Sequence, residues 1–410
     1  MDAKTIGNTI SKLRKQAGMT QAELATILRI SDKTVSKWEN GLGYPDIIMF
    51  PQLASLFNVS IDELMMGEKS GIAIVGSMIT DIVKNIDVYP SPGMLAYLSD
   101  IQYSVGGCVP NMAIDLVKID KSIPIRVAGK VGDDENGRFL RSQLQYWGID
   151  TSGVRISPST PTSFCDVMNL PNGERTFFHK KGANADFSPE DIDIKALNCS
   201  LMHVGYLLLL DRFDARDAVY GTVMARFLHD VQKAGIKTSI DVVSDSIADY
   251  HAVISPALKY CHYIIINETE CCQIWNLPAF RVDGTVHKEN VRQAMCRIRD
   301  CGVKEKIIVH SKTISFLLDV LTQEWVELPS LRIPPQDICG SVGAGDAFCA
   351  GVLYGIYHEF SNIQILEFAS AAAACSLFSA NSIDGMRSQR EIYEMMNRYE
   401  RLPNETTMEV

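Results

Sequence analysis

The sequence lacks the features that mark secreted, membrane and low-complexity proteins. No apolar run approaches the ~20 residues that a membrane-spanning helix needs, so we expect no membrane partner. The polar N-terminus has no apolar segment ahead of a cleavage site, and no internal repeat is present. The 11 cysteines are scattered without a Cys-x-x-Cys pair, which favours free thiols in a reducing compartment. We therefore expect a globular, cytoplasmic protein.

Length and charge indicate two parts of different character. A chain of 410 residues is longer than one typical domain. Residues 1–70 hold eight basic and eight acidic side chains, so the rest of the chain carries the whole net charge of −10. Within the first 37 residues, however, seven basic side chains stand against three acidic ones. This local excess favours a polyanionic partner.

The first 70 residues show helical periodicity only. Thr20 and Glu23 form a Thr-x-x-Glu capping box, which predicts a helix through Leu28. Ser31 can cap the next helix, which is expected to end at Asn40-Gly41. A fourth helix is expected to open at Asp46 with Pro51 in or near its first turn, and a capping box of Ser60 and Glu63 predicts a fifth.

Two capped helices joined by a tight turn are typical of a helix-turn-helix. The exposed polar side chains of the second helix could reach base edges and phosphates in a major groove: Asp32, Lys33, Thr34, Ser36 and Lys37. Gln21, at the start of the first helix, would lie near the backbone phosphates. A small helical domain can also bind protein instead of DNA, and that alternative stays open.

Several runs of this segment resemble the Xre/Cro repressor-type family. They are Met19-Thr20-Gln21-Ala22-Glu23-Leu24-Ala25, Val35-Ser36-Lys37-Trp38-Glu39-Asn40-Gly41 and Ile61-Asp62-Glu63-Leu64. The resemblance implies a five-helix domain that binds double-stranded DNA, and it implies a homodimer on paired half-sites.

From residue 72 onward the pattern changes to short β-rich runs separated by helix-like segments. This alternation predicts an α/β fold with a mostly parallel sheet and helices on both faces. The expected strands are Ile72–Gly76, Ile123–Val131, Leu201–Leu208, Thr238–Val243, Tyr263–Ile266 and Lys306–His310. We accordingly predict a helix-turn-helix domain over 1–67, a linker over 68–71, a second domain over 72–402 and a tail over 403–410.

A short glycine-rich run offers the clearest chemistry in the second domain. Gly343-Ala344-Gly345-Asp346 precedes an apolar helix, and small residues there leave backbone N–H groups free to bind an anion. A carboxylate at the same turn can accept the proton of a hydroxyl that attacks a phosphoryl group.

Other polar groups stand where strands end or helices begin. Gly106 and Gly107 lead into a helix and let the backbone approach a ligand, while the Asn111 amide can bind hydroxyls. Asp81 is expected to close the first strand and to accept two sugar hydroxyls. Asn267 and Glu270 follow the strand Tyr263–Ile266, where parallel sheets place ligand groups.

Together and in this order, these motifs resemble the ribokinase-like (PfkB) carbohydrate kinase family. The resemblance implies a central sheet with a small β lid formed around residues 89–105 and 160–180. It implies ATP and Mg²⁺ as cofactors, with Asp346 as catalytic base and Gly343, Ala344 and Gly345 as the anion hole. Asp81, Gly106, Gly107 and Asn111 would bind the sugar. Asn267 and Glu270 would organise magnesium through water, and Ser311 would lie beside the nucleotide.

Further matches to this family are Gly173-Glu174-Arg175 and Gly182-Ala183-Asn184. Arg175 is equally well explained as a substrate contact or as a solvated lid charge.

Two departures from the family pattern affect the interpretation. Gly340 stands where the family usually has an aspartate, which leaves activation by a monovalent cation open. The turn after Lys306–His310 lacks the family's glycines. Because glycines let the backbone approach a ligand closely, the affinity for the nucleotide is expected to differ from the family's.

The expected function is ATP-dependent phosphorylation of a sugar or sugar acid, coupled to DNA binding. A non-catalytic sugar-sensing transcription factor and a nucleoside kinase remain alternatives.

Overall fold

The computed structural model of the protein describes residues 3–66, 69–170, 175–244 and 249–403. The chain divides into two compact units, Met1–Ser70 and Gly71–Val410. Some predicted features lie outside the described residues: part of the linker at 68, the glycine and glutamate of Gly173-Glu174-Arg175, the tail at 404–410 and the side chain of Glu63.

The smaller unit is helical, as the sequence predicts. Its helices are α1 (Ala3–Gln16), α2 (Gln21–Leu28), α3 (Asp32–Glu39), α4 (Met49–Phe57) and α5 (Ile61–Met66). Both hydrogen bonds of the Thr20–Glu23 capping box form at the start of α2, and the Ser31 side chain caps α3. These local bonds fix where α2 and α3 begin.

Helix α4 begins later than predicted. It starts at Met49 instead of Asp46, because the Asp46 carboxylate accepts a hydrogen bond from the Ile48 N–H and holds the preceding residues in a turn. The core of this unit contains the fully buried side chains Ile10, Leu24, Val35, Leu53 and Leu64. Val35 and Trp38 point inward, so α3 presents its polar face outward.

The larger unit is built on a nine-stranded sheet. Its strands lie in the order β15-β14-β13-β12-β11-β8-β1-β4-β5. Neighbours from β5 to β13 run parallel, whereas β14 and β15 join antiparallel at one edge. The strands are β1 (Ile72–Gly76), β4 (Ile125–Gly132), β5 (Val154–Ser157), β8 (Leu201–Leu207), β11 (Lys237–Val242), β12 (Tyr263–Asn267), β13 (Lys306–His310), β14 (Ile314–Asp319) and β15 (Trp325–Pro329).

A separate four-stranded sheet, in the order β3-β2-β6-β7, forms the lid. Its strands are β2 (Ile79–Ile86), β3 (Leu98–Gly106), β6 (Ser163–Asn169) and β7 (Arg175–Lys180). The prediction that Asp81 closes the first strand was wrong. Asp81 lies within β2, paired with Ser104 on β3 and Cys165 on β6, because the chain turns at Ser77-Met78 and pairs again at once. Two short strands, β9 (Arg216–Asp217) and β10 (Gly221–Thr222), form a hairpin.

Helices cover both faces of the large sheet. They are α6 (Cys108–Ile119), α7 (Glu135–Tyr146), α8 (Ala183–Asp186), α9 (Ile194–Leu197), α10 (Asp211–Asp214), α11 (Val223–Lys233), α12 (Tyr250–Leu258), α13 (Glu268–Gln273), α14 (Lys288–Asp300), α15 (Ala344–Tyr357), α16 (Asn362–Ser376) and α17 (Gln389–Arg398). Strand β1 shows the alternation: Ile72 and Ile74 pack toward α6 and α15, while Ala73 and Val75 pack toward the opposite layer. No helix among the described residues is long and apolar enough to cross a membrane.

Candidate active site

Asp346 lies in the first turn of α15, one of the helices buried against the sheet. Gly343, which immediately precedes α15, is the N-cap of this helix. Its φ of 78° is a left-handed conformation that favours glycine. A Cβ atom at Gly343 would lie 2.5 Å from the Ser382 carbonyl oxygen. The glycine is therefore required for the chain to enter α15 at this point.

Two side chains from distant parts of the chain hold the Asp346 carboxylate. The Tyr206 hydroxyl donates to Oδ1 at 2.5 Å, and the Asn111 amide donates to Oδ2 at 2.8 Å. The Asn111 Oδ1 atom in turn lies 2.8 Å from the Ser382 hydroxyl. Both carboxylate oxygens of Asp346 thus have fixed directions, and the side chain is only 6% exposed.

The surroundings of Asp346 make its carboxylate more basic than that of an exposed aspartate. Burial raises the pKa of its carboxyl, whereas the hydrogen bonds from Tyr206 and Asn111 lower this pKa, as does the nearby His203 ring. A carboxylate with a raised pKa is a stronger base than an ordinary surface aspartate.

The first turn of α15 also presents backbone donors. The Ala344 N–H reaches the Ser341 carbonyl at 3.3 Å, and the Ala347 N–H donates to the Gly343 carbonyl. The N–H groups of Gly345 and Asp346 make no hydrogen bond to the described part of the chain. These two donors and the helix dipole can stabilise an anion next to the carboxylate.

Asp81 of β2 reaches the same site from the lid. Burial and the negative charge of Asp346 raise the pKa of its carboxyl to about 7, and the Arg175 cation opposes that rise. Gly106 leaves room for this carboxylate, since a Cβ there would lie 2.4 Å from Asp81 Oδ2. Gly107 has φ of 81°, and a Cβ there would lie 2.7 Å from the Ser77 carbonyl oxygen. Both glycines are thus explained by close packing.

Asn267 and Glu270 form a capping box at the start of α13. The Asn267 side chain accepts from the Glu270 N–H at 2.8 Å, and the Glu270 carboxylate accepts from the Asn267 N–H at 3.0 Å and from the Ser244 hydroxyl at 2.8 Å. Burial, with Asp241 and Glu268 nearby, raises the pKa of Glu270 to about 8. Because Mg²⁺ prefers oxygen donors and its charge would relieve this crowding of carboxylates, the Asn267–Glu270 pair fits a magnesium ion held through water.

Two cavities adjoin each other beside Asp346, at Asn267 and Gly345. A cavity of about 250 Å³ is lined by Asp346, Asn267 and Glu270. A second, of about 590 Å³, includes Ser311, Ala344 and Gly345, and shares Asn267 and Gly345 with the first. Its size is that of a small-molecule site. The Ser311 hydroxyl is engaged by the β13–β14 turn, where it bonds to the backbone of Ile314, so this residue shapes the wall of the larger cavity.

A larger cavity, of about 810 Å³, lies elsewhere in this unit. It is lined by charged side chains that include Lys130, Arg155 and Asp191, and none of the predicted site residues borders it. Because Lys130 and Asp191 form an ion pair there, part of its charge is already neutralised.

The predicted DNA-contacting residues of the smaller unit differ in solvent exposure and in their hydrogen bonds within the protein. Asp32, Lys33 and Lys37 are exposed on α3, whereas Thr34 and Ser36 are half-buried. The Gln21 amide donates to the Glu39 carboxylate at 2.8 Å, so its side chain is partly engaged within the protein. The same carboxylate binds Arg14, which ties α1 to α3.

The sequence did not indicate Tyr206 and Ser382 as site residues. Tyr206 lies near the carboxyl end of β8, and that position on a predicted parallel strand was the one available signal. Ser382 follows α16 in an irregular segment and carries no such signal.

Comparison with known proteins shows the family of the larger unit and a second match in the smaller unit. Residues 69–389 match the family model described as pfkB family carbohydrate kinase, and residues 10–64 match a helix-turn-helix model. A deoxyribokinase of Salmonella typhi is 24% identical over 330 residues, which cover 80% of this chain and 98% of that protein.

Solved structures are similar in fold. The structure of Arabidopsis thaliana ribokinase complexed with ribose and ATP has a TM-score of 0.65 at 21% identity, covering 80% of this chain and 98% of that one. An E. coli structure in complex with ATP and Mg²⁺ has a TM-score of 0.63 at 16% identity, covering 80% of this chain and 99% of that one.

Proposed function

The chain belongs to the pfkB family of carbohydrate kinases, and from that membership we propose that it phosphorylates a sugar or sugar acid with ATP. One observation carries the proposal: Tyr206 and Asn111 orient the Asp346 carboxylate beside two backbone N–H groups that have no partner among the described residues. A base and an anion site next to each other are what phosphoryl transfer to a hydroxyl requires.

Each site residue then has a role in the transfer. Asp346 takes the proton of the attacking hydroxyl, and the N–H groups of Gly345 and Asp346 stabilise the phosphoryl group. Asp81 accepts sugar hydroxyls. Asn111 uses one amide N–H on Asp346 and its oxygen on Ser382, so it has one N–H left for the sugar.

The cavity of about 590 Å³ is the proposed binding site for ATP. Its floor is the first turn of α15, which brings the γ-phosphate next to Asp346. Mg²⁺, when bound, neutralises the charge on the β- and γ-phosphates, and Asn267 and Glu270 would hold it through water. Gly340 supplies no side-chain ligand for a monovalent cation, so no such ion is part of the proposed site.

We propose further that residues 1–67 bind DNA and respond to the sugar bound by residues 72–402. The exposed cations Lys33 and Lys37 of α3 support phosphate or base contacts. A homodimer on paired half-sites would offset the modest affinity of a head with no net charge. The described cysteines are all free thiols, which supports a location in the cytoplasm.

A thermal-shift screen of sugars, sugar acids and nucleosides, with and without an ATP analogue, tests the enzymatic proposal. We expect one sugar to stabilise the larger unit, and the same sugar to be phosphorylated with MgATP. Stabilisation by a nucleoside alone would instead identify a nucleoside kinase. If no compound both binds and is phosphorylated, the enzymatic proposal fails.

The second candidate is a sensor in which sugar binding alone controls DNA binding. It is favoured by Gly340 and by the glycine-poor turn at Ser311-Lys312-Thr313. Gel-shift titrations of the full chain with its operator separate the two candidates. A sugar effect on DNA affinity that persists in Asp346→Asn, without turnover in the wild type, would establish the sensor.

A further inference from the structure

Three side chains that could hold a metal ion converge one helical turn beyond Asp346. They are His203 of β8, Asp241 of β11 and Cys349 of α15. The His203 Nε2 atom lies 3.4 Å from Asp241 Oδ2 and 3.8 Å from Cys349 Sγ. His203 is 0% exposed and Cys349 is 2% exposed, so the three groups meet inside the protein.

The His203–Asp241 separation matches an edge of a tetrahedral zinc site, and the His203–Cys349 separation is slightly longer than one. With Zn–N and Zn–O distances of about 2.0–2.1 Å and Zn–S of about 2.3 Å, tetrahedral angles place the ligand atoms roughly 3.3–3.7 Å apart. The three ligand atoms all lie within 4.8 Å of one another. A cation between them therefore needs only small side-chain movements.

The surroundings orient His203 as a ligand. Its Nδ1 atom lies 2.9 Å from the Ser239 hydroxyl, which leaves Nε2 facing Asp241 and Cys349. A hydrogen bond on the far ring nitrogen is the usual support of a metal-binding histidine. The Asp241 oxygen that faces His203 is Oδ2; the other oxygen, Oδ1, lies beside Gly205, is buried and has no hydrogen-bond partner in the part of the chain that the structure describes. An unpaired buried carboxylate oxygen is costly unless a cation or another donor satisfies it.

The charges of the three groups balance a dication. Burial lowers the pKa of His203 to about 3, so the ring is neutral, as a metal ligand must be. Burial and the neighbouring Asp346 raise the pKa values of Asp241 and Cys349, because an isolated anion is unfavourable there. One doubly charged cation would neutralise the carboxylate and the thiolate together.

We propose that His203, Asp241 and Cys349 form a binding site for a soft divalent cation of the zinc class. A thiolate and an imidazole favour such a cation over Mg²⁺, which prefers oxygen. The proposed ligands Asp241 and Cys349 border the same 250 Å³ cavity as Asp346.

Cobalt spectroscopy on the chelator-treated full chain tests this site independently of turnover. Co²⁺ should give a thiolate-to-cobalt charge-transfer band in the near ultraviolet, Zn²⁺ should bleach it, and excess Mg²⁺ should not. Cys349→Ser should abolish the band. The control is Cys261→Ser. This variant alters another fully buried thiol, which lies just before the amino end of β12.

A second variant, which keeps all three proposed ligands, tests the site in case Cys349→Ser does not fold. Ser239→Ala keeps the three ligands but removes the bond that orients His203, and should weaken Co²⁺ binding by about 10- to 100-fold. The proposal is overturned if the wild type shows no band, if Cys349→Ser retains it, or if Ser239→Ala binds Co²⁺ as tightly as the wild type.

Discussion

At the scale of single residues, the Asp346 carboxylate is already oriented for the reaction that we propose for it. Tyr206 and Asn111 each donate a hydrogen bond to one oxygen of the Asp346 carboxylate, so the orientation of this side chain is fixed. Such pre-organisation removes reorganisation from the reaction step. The remaining lone pairs of the carboxylate are left for the sugar hydroxyl.

Replacing Tyr206 with phenylalanine tests this arrangement. The Tyr206 hydrogen bond lowers the pKa of Asp346, so Tyr206→Phe should raise that pKa and move the acid limb of the kcat/KM profile to higher pH. Loss of one hydrogen bond to a charged group should slow turnover at neutral pH roughly tenfold. Tyr146→Phe, at a tyrosine that is 80% exposed, is the matched control. An unmoved pH profile would show that Tyr206 does not tune the base.

If Asp81 binds the sugar as proposed, sugar binding should depend on pH. Its pKa of about 7 means that the carboxyl is mainly protonated at pH 6 and mainly ionised at pH 8. Only the ionised form accepts two hydroxyl hydrogen bonds, so KM for the sugar should fall as pH rises through 7. In Asp81→Asn, KM should be higher by roughly tenfold and should lose this step. A KM step that survives in Asp81→Asn would assign the titration to another group.

At the scale of helices and strands, the capping signals of α2 and α3 predicted where these helices begin, whereas the start of α4 and the pairing of the edge strands were not predicted. Strands β1 and β13 have the predicted bounds, because buried parallel strands are short, continuous apolar runs. The antiparallel edge strands β14 and β15 were not predicted, since their pairing is set by a turn rather than by a motif. For the same reason Asp81 was assigned to the end of β1 instead of to β2.

The candidate site was predictable only as separate motifs. Asp346 stood out because its glycines precede an apolar helix. Its partner Tyr206 lies 140 residues away in the chain, and Ser382 lies 271 residues from Asn111, so no local pattern joins them. The same holds for His203 and Cys349, 146 residues apart.

In the smaller unit, a buried ion pair ties α1 to α3. Arg14 of α1 binds Glu39 of α3 at 2.6 Å, with both side chains less than 10% exposed. Arg14→Leu would leave the Glu39 carboxylate buried without its cation, which should destabilise this unit by about 3 kcal/mol. Urea unfolding followed by Trp38 fluorescence measures the loss, with the exposed neighbour Lys15→Ala as control. Equal stability of the two variants would contradict a structural role for the pair.

At the scale of the whole molecule, charge is divided unequally between the two units. The first 70 residues have no net charge, whereas the rest of the chain carries −10. Because the net negative charge of the larger unit repels DNA, we expect the exposed cations of α3 to contribute to any DNA affinity. Lys37→Ala should therefore weaken binding and reduce the slope of log K against log salt by about 0.9, the value for one phosphate contact. An unchanged slope in gel shifts at several salt concentrations would remove Lys37 from the interface.

The central claim is that Asp346 is the base of a sugar kinase, and turnover by Asp346→Asn tests it most directly. With the sugar found by thermal shift and saturating MgATP, kcat should fall by about 10²- to 10⁴-fold while the sugar still stabilises the variant. Turnover by Asp346→Asn at the wild-type rate, with the same sugar bound, would contradict the account.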